Sequence, residues 1–175
     1  TEQGMLTNAG IVEGVIINGI IPQKEAGVSN MENKMLVGSM NSLKSSSFGI
    51  VMGDQLAAGL NISLGDKITL ITPKATATPV GIVPRLKRFK VVGIFHVGGG
   101  FGLDTNAAFI NLNDAQKLFQ LGNTVSGLRL KVNDLYIAPK VSNELSKILP
   151  ARYIVSDWTQ EYGTYFKAIS MEKTM

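Results

Sequence analysis

His96 is the single histidine of the chain, and Asp104 is the nearest carboxylate beyond the turn Gly98-Gly-Gly-Phe-Gly102. Nucleophilic catalysis would need that imidazole beside an activated hydroxyl or thiol. The chain has no cysteine, and no serine stands in a strained strand-to-helix elbow. His96 therefore reads as a surface histidine at a strand end. The glycine run resembles a phosphate cradle, yet it lacks the Lys-Ser/Thr of a P-loop. The element expected after it is a strand, whereas anion binding uses a helix N-terminus. It reads as a mobile turn. Glu2, Glu13, Asp54, Asp66, Asp104, Asp114, Asp134, Glu144 and Asp157 fall at caps, turns or surface positions, with no pair at a metal or acid/base spacing. No catalytic residue, cofactor site or metal site is expected, and no enzymatic activity.

The residues that ask for a function lie in Pro73-Lys-Ala-Thr-Ala-Thr-Pro-Val-Gly-Ile-Val-Pro-Arg-Leu-Lys-Arg-Phe89. Pro79, Val80, Ile82, Val83, Pro84 and Leu86 give this connection between two strands an apolar surface that a soluble domain ordinarily keeps polar. Two fates suit it: it folds down to complete its own domain's core, or it projects and docks. Pro79 and Pro84 bracket the tip, fixing φ near about −65° and removing two amide donors, which stiffens the loop and opposes further sheet pairing. A stiff loop loses less entropy on docking. Lys74, Arg85, Lys87 and Arg88 frame its ends and suit an acidic partner.

With 175 residues, 45% hydrophobic and 17% charged, the chain can bury a substantial core as one domain or two small lobes. A net charge of +4 without a basic stripe or Cys/His finger spacing argues against nucleic-acid binding. The lack of cysteine leaves the redox compartment open. No apolar run reaches the 18 or so residues of a membrane span, and the start lacks the regions of a signal peptide. Residue 1 is not methionine and the chain stops within an expected helix, the pattern of an excised domain.

The elements follow from spacing. Residues 3–7 and 11–21 read as a hairpin across Asn8-Ala9-Gly10, ended by Pro22. Residues 49–52, 54–60 and 67–72 read as strand, helix, strand; residues 89–97 and 106–111 as further strands. Asn113 with Gln116 suggests a capping box for a short helix through Phe119. Leu128, Leu130 and Val132 alternate with polar residues as in a half-buried strand, Pro139 opens a helix with Val141, Leu145, Ile148 and Leu149 on one face, and residues 153–155 suggest another strand. That order predicts an α+β lobe with helices on one face of a sheet. Asp157 caps a last helix in which Trp158, Tyr162, Tyr165, Phe166 and Ile169 form an aromatic stripe. The stripe suits a core contact or the approach to a membrane interface.

Gly49-Ile-Val-Met-Gly-Asp-Gln-Leu-Ala57, Leu64-Gly-Asp-Lys-Ile68, Thr78-Pro-Val-Gly-Ile-Val-Pro84, Phe89-Lys-Val-Val-Gly-Ile-Phe95, Asp157-Trp158 and Met171-Glu-Lys-Thr-Met175 occur together and in order. In this the chain resembles the LolC-type permease subunits of the lipoprotein-releasing ABC transporter of Gram-negative inner membranes. The resemblance implies a two-lobed α+β periplasmic domain of MacB-like type. A Porter-like lobe would take residues 1–22 and 123–160, a mainly-β Sabre-like lobe residues 23–122, and residues 161–175 would lead into a second transmembrane helix. It further implies a protruding β-hairpin hook over residues 77–85 that engages the soluble chaperone LolA. Thr78, Pro79, Val80, Gly81, Ile82, Val83, Pro84 and Arg85 would form the hook, with Val80 at its tip, and Thr69, Leu86 and Lys87 a supporting patch. Partners implied are a LolE-type permease, a LolD-type cytoplasmic ATPase and outer-membrane lipoproteins as cargo. LolE-type subunits generally lack the hook, which favours LolC or the fused LolF type. In two respects the chain departs from the pattern: Ile82 stands where a basic residue is common, and the first strand-helix portion of the Porter lobe is missing before Thr1. The competing family is a MacB- or FtsX-like permease that binds an adaptor or hydrolase, and a third reading is a small barrel domain of an enzyme.

Overall fold

The computed structural model describes residues 1–78, 81–99 and 102–161, with the side chains of 74–78, 81–84 and 161 excepted. Strands β1 (Glu2–Asn8) and β2 (Ile11–Ile20) form the expected hairpin. Its two-residue turn puts Ala9 at φ 48° and Gly10 at φ 87°, the positive pair that matches the twist of a tight hairpin. Pro22 then opens a helical turn, α1 (Pro22–Glu25), where its missing N–H costs nothing.

The remaining strands are β3 (Met35–Gly38), β4 (Gly49–Gly53), β5 (Lys67–Thr78), β6 (Gly81–Phe95) and β7 (Ala107–Asn111). Pairing runs β6-β4-β7-β2-β1-β5 and returns from β5 to β6, so six strands close a ring, with β3 added along β6. The β6–β4 and β4–β7 contacts carry Gly49–Gly53 through the middle of the sheet, and all five of its residues are buried. Closure removes most of the unpaired strand edges that would otherwise invite aggregation.

Alternation along the strands sorts side chains to two sides. Leu6, Ile17, Ile50, Met52, Leu70, Phe89 and Ile110 share one core with Leu56 of α2 (Asp54–Gly59) and Leu60 just after it. Leu118 and Phe119 join it from the later helix Leu112–Phe119. Val51, Phe95 and Phe109 turn to the other side and pack with Ile20, Met40 and Leu43. Phe95 and Phe109 meet edge to face at 5.6 Å.

Several expectations are corrected. After Gly102 comes a helical turn, α3 (Leu103–Asn106), not a strand. Its four residues are too few for an anion site. The cap of α4 (Leu112–Phe119) is Asn111, whose side chain accepts from the Asn113 N–H, while Gln116 donates to the Thr124 carbonyl instead of closing a capping box. The helix ends on Gln120 at φ 53°, two residues before Gly122.

Residues 128–133 and 153–155 form no strand: Leu128 is 85% exposed and Ile154 95%. An alternating segment becomes a strand only where a neighbour takes up its backbone groups, and among the described residues none does.

The chain divides into Thr1–Arg129 and Leu130–Met175. Residues 1–22, assigned from the resemblance to the lobe of residues 123–160, pair with β7 and β5 and cluster with the first unit. In that unit Arg129 pairs with buried Glu25, which also accepts from the Ser29 hydroxyl at 2.7 Å. The described part of the second unit holds α5 (Ala138–Ile148) and α6 (Trp158–Glu161), preceded by a 3₁₀ turn at Leu135–Ile137. The Trp158 indole donates to the Leu135 carbonyl at 3.0 Å. Of the aromatic stripe, Tyr162, Tyr165, Phe166 and Ile169 lie outside the described residues.

Asp157 caps α6 as expected, accepting from the Thr159 N–H at 2.9 Å, and it also ties α6 to α5 by accepting from the Ser142 hydroxyl at 2.6 Å. The Ser142 and Thr159 hydroxyls, in that order, hold its carboxyl below the ordinary carboxylate range. A folded-state value below the unfolded 3.8 stabilises the fold above that pH, and the contribution is lost as the pH falls through the lower, folded value. Acid titration followed by Trp158 fluorescence is expected to show α6 loosening only below about pH 4. Asp157→Asn, which keeps the shape but not the charge, is expected to flatten that transition.

Candidate functional site

Hairpin β5–β6 is longer than its sequence suggests. Lys67–Thr72 pairs residue by residue with Lys90–Arg85, and the ladder resumes at Ala75↔Pro84, Thr76↔Val83, Ala77↔Ile82 and Thr78↔Gly81. Pro73 and Lys74 stand in the intervening bulge, which bends and twists the ribbon. Pro84 lies within this ladder opposite Ala75 and does not end it, while Pro79 lies outside the described residues. A proline is tolerated on a ribbon with a free edge, where its missing N–H can face solvent.

Beyond the bulge the ribbon has two strands among the described residues. Strand β5 touches β1 only at Thr69–Ile71, and β6 touches β4 and β3 only from Lys90 onward. Among the described residues no third strand lies along 75–78 or 81–84. Four residues per strand at about 3.3 Å each carry the ribbon about 13 Å past the last ring pair. Thr78, Gly81, Ile82, Val83 and Pro84 are thus placed by backbone pairing on this ribbon, while Pro79 and Val80 lie outside the described residues.

The root of the ribbon has two different faces. Directly paired residues of antiparallel strands point to the same side, so Gly14, Met5, Ile71 and Leu86 form one row across four strands. Leu86 is 61% exposed, Met5 43% and nearby Val12 53%. Thr69 and Arg88, a direct pair, lie one step along that same face. Lys87 does not: it turns inward and sets its ammonium 3.8 Å from the Phe48 ring centroid. Phe48 in turn meets Phe89 edge to face at 5.6 Å. The patch of Thr69, Leu86 and Lys87 is split by the pleat, and its outer face gains Met5, Val12 and Ile71. Their signal was present in the alternation of Met5 and Thr7 around buried Leu6, but the partners became visible only with the register.

The Phe48 side is anchored by Asp114. This carboxylate is fully buried and accepts from the Ser46 N–H at 2.7 Å and the Phe48 N–H at 3.0 Å.

At the other end of β6 the polar residues converge in a way that their spacing hides. His96 Nδ1 lies 3.0 Å from Asp54 Oδ2 and 3.6 Å from Asp104 Oδ2. Asp104 is buried and accepts from the Val97 N–H at 2.7 Å and the Gly98 N–H at 2.8 Å. The surface and cap readings of His96, Asp54 and Asp104 missed this meeting because Asp54 is brought in by α2 from 42 residues away.

Comparison with known proteins fits this architecture. The family model of the MacB-like periplasmic core domain matches residues 2–148. The lipoprotein-releasing system transmembrane protein LolC of Xylella fastidiosa is 38% identical over 160 residues, 91% of this chain and 38% of that protein. Its namesake from Neisseria meningitidis serogroup B is 38% identical over 176 residues, 100% of this chain and 42% of that protein. The LolE protein of Haemophilus influenzae is 23% identical over 172 residues, 98% of this chain and 41% of that protein. The chain thus spans about two fifths of the length of these curated relatives. In fold it is similar to the extracellular domain of the noncanonical ABC-type transporter YknZ from Gram-positive bacteria, at TM-score 0.54 and 14% identity, covering 89% of this chain and 74% of that one. Among the described residues no helix is long and apolar enough to cross a membrane. With a family match over most of its length, this chain belongs to the MacB-like periplasmic core domain family.

Proposed function

We propose that this chain is the periplasmic domain of a LolC-type permease in an inner-membrane lipoprotein-releasing ABC transporter, and that its β5–β6 hairpin recruits the chaperone LolA. The observation that carries the reading is the two-stranded extension past the ring, ending at Thr78↔Gly81 around Pro79-Val80. Among the described residues no third strand lies along this ribbon, which leaves its edges free for a partner. Its root adds the row Met5, Ile71 and Leu86 on one face, with Arg88 beside it for an acidic partner. The similarity to proteins named LolC over nearly the whole chain supports the same assignment.

The hairpin holds the chaperone near the transporter so that an outer-membrane lipoprotein passes into the chaperone's acyl cavity. Binding is this domain's whole contribution; ATP hydrolysis belongs to a separate LolD-type cytoplasmic subunit, and a LolE-type permease completes the membrane part. Leu86→Asp tests the outer face. It is expected to weaken LolA binding about 10-fold or more, the loss of roughly 1.4 kcal/mol or more at the rim of a docking site, measured by calorimetry. Unchanged affinity would remove the root of the ribbon from the interface.

A further inference from the structure

We propose that Asp54, His96 and Asp104 form a binding site for a divalent transition-metal ion, a function independent of chaperone docking. The three side chains come from three elements: Asp54 is the first residue of α2, His96 follows β6, and Asp104 lies in α3. One ligand atom from each lies within 4.8 Å of the other two.

The distances suit a metal. Ligands that sit about 2.0–2.2 Å from a zinc ion are about 3–3.5 Å from one another. The separations of 3.0 and 3.6 Å from His96 Nδ1 to the two carboxylate oxygens bracket that value. An ion entering between them would exchange one hydrogen-bonding proton for three coordinate bonds. A ring that binds through Nδ1 carries its proton on Nε2.

Preorganisation separates this cluster from an ordinary group of surface acids. The Val97 and Gly98 N–H groups hold both oxygens of Asp104, and the residue is 6% exposed. Gly53 lets α3 come close: a Cβ there would lie 2.3 Å from the Asp104 carbonyl oxygen. The His96 side chain is 47% exposed and that of Asp54 31%, so one side of the site stays open to ions and to water as a further ligand. One imidazole and two carboxylates suit Zn²⁺ and its first-row neighbours, and the half-open shell leaves positions for solvent.

The single histidine makes the test clean. The 175-residue chain, without an affinity tag, is titrated with Zn²⁺ by calorimetry while the imidazole nitrogens are followed by NMR. The expected result is one saturable site, a shift confined to Nδ1 in the first shell, and affinity lowered at least about 10-fold in both His96→Gln and Asp54→Asn. Those two side chains are partly exposed, so both variants are expected to fold, which circular dichroism checks; Asp104 is left alone because it also holds backbone. Absence of saturable binding in the wild type, or binding that His96→Gln leaves intact, overturns the proposal.

Discussion

Val80→Glu is expected to lower affinity for LolA at least about 100-fold while leaving the melting temperature of the domain unchanged. Placing an unpaired carboxylate in an apolar cavity costs several kcal/mol, and about 2.8 kcal/mol already corresponds to 100-fold. The fold is insulated from the change because the ladder reaches Thr78↔Gly81 without Val80, and the ring closes at Thr69–Ile71, well below it. Calorimetric titration beside thermal denaturation separates the two effects. A variant that binds normally removes the tip from the interface, and one that fails to bind because it is unfolded shows itself in the melt.

Asp114→Ala is expected to cost about 3 kcal/mol of stability, and to loosen the root of the hairpin with it. Removing this buried carboxylate leaves the Ser46 and Phe48 N–H groups without their acceptors, and a hydrogen bond to a charged group contributes about 1.5–3 kcal/mol. For a chain of this size the melting temperature should fall by about 6–12 °C. Phe48 is the ring on which Lys87 lies and against which Phe89 packs, so hydrogen exchange at residues 86–90 should accelerate in the variant. Asp114→Asn, whose amide oxygen can still accept from one of the two groups, is expected to lose about half as much. Equal stability of Asp114→Ala and wild type would mean that water replaces both contacts.

Local chemistry was the legible part of this fold. Apolar runs bounded by turn residues located β1, β2, β4 and β7 to within a residue or two, and Pro22, Asn8-Ala9-Gly10 and Asp157 marked a strand end, a turn and a cap. What failed were statements that depend on a neighbour. Leu128, Leu130 and Val132 alternate with polar residues, yet unlike β1 they meet no other strand among the described residues. Periodicity records which face could be buried, and pairing decides whether it is.

The same limit governs the candidate site. Apolar composition and prolines drew attention to residues 77–85, whereas the bulge at Pro73-Lys74 and the continued pairing above it are set by the partner strand. Lys87 and Leu86 are neighbours in sequence and lie on opposite faces of the sheet, a separation that a list of adjacent residues conceals. His96, Asp54 and Asp104 meet across 42 and 8 positions through the ends of three elements, and no spacing rule finds such a meeting.

The most direct measurement is a calorimetric titration of this domain with purified LolA, beside an equal titration with the adaptor of a MacB-type exporter. Saturable one-to-one binding to LolA and none to the adaptor is the expected result. Binding to the adaptor alone, or no heat with LolA at concentrations of tens of micromolar, would contradict it.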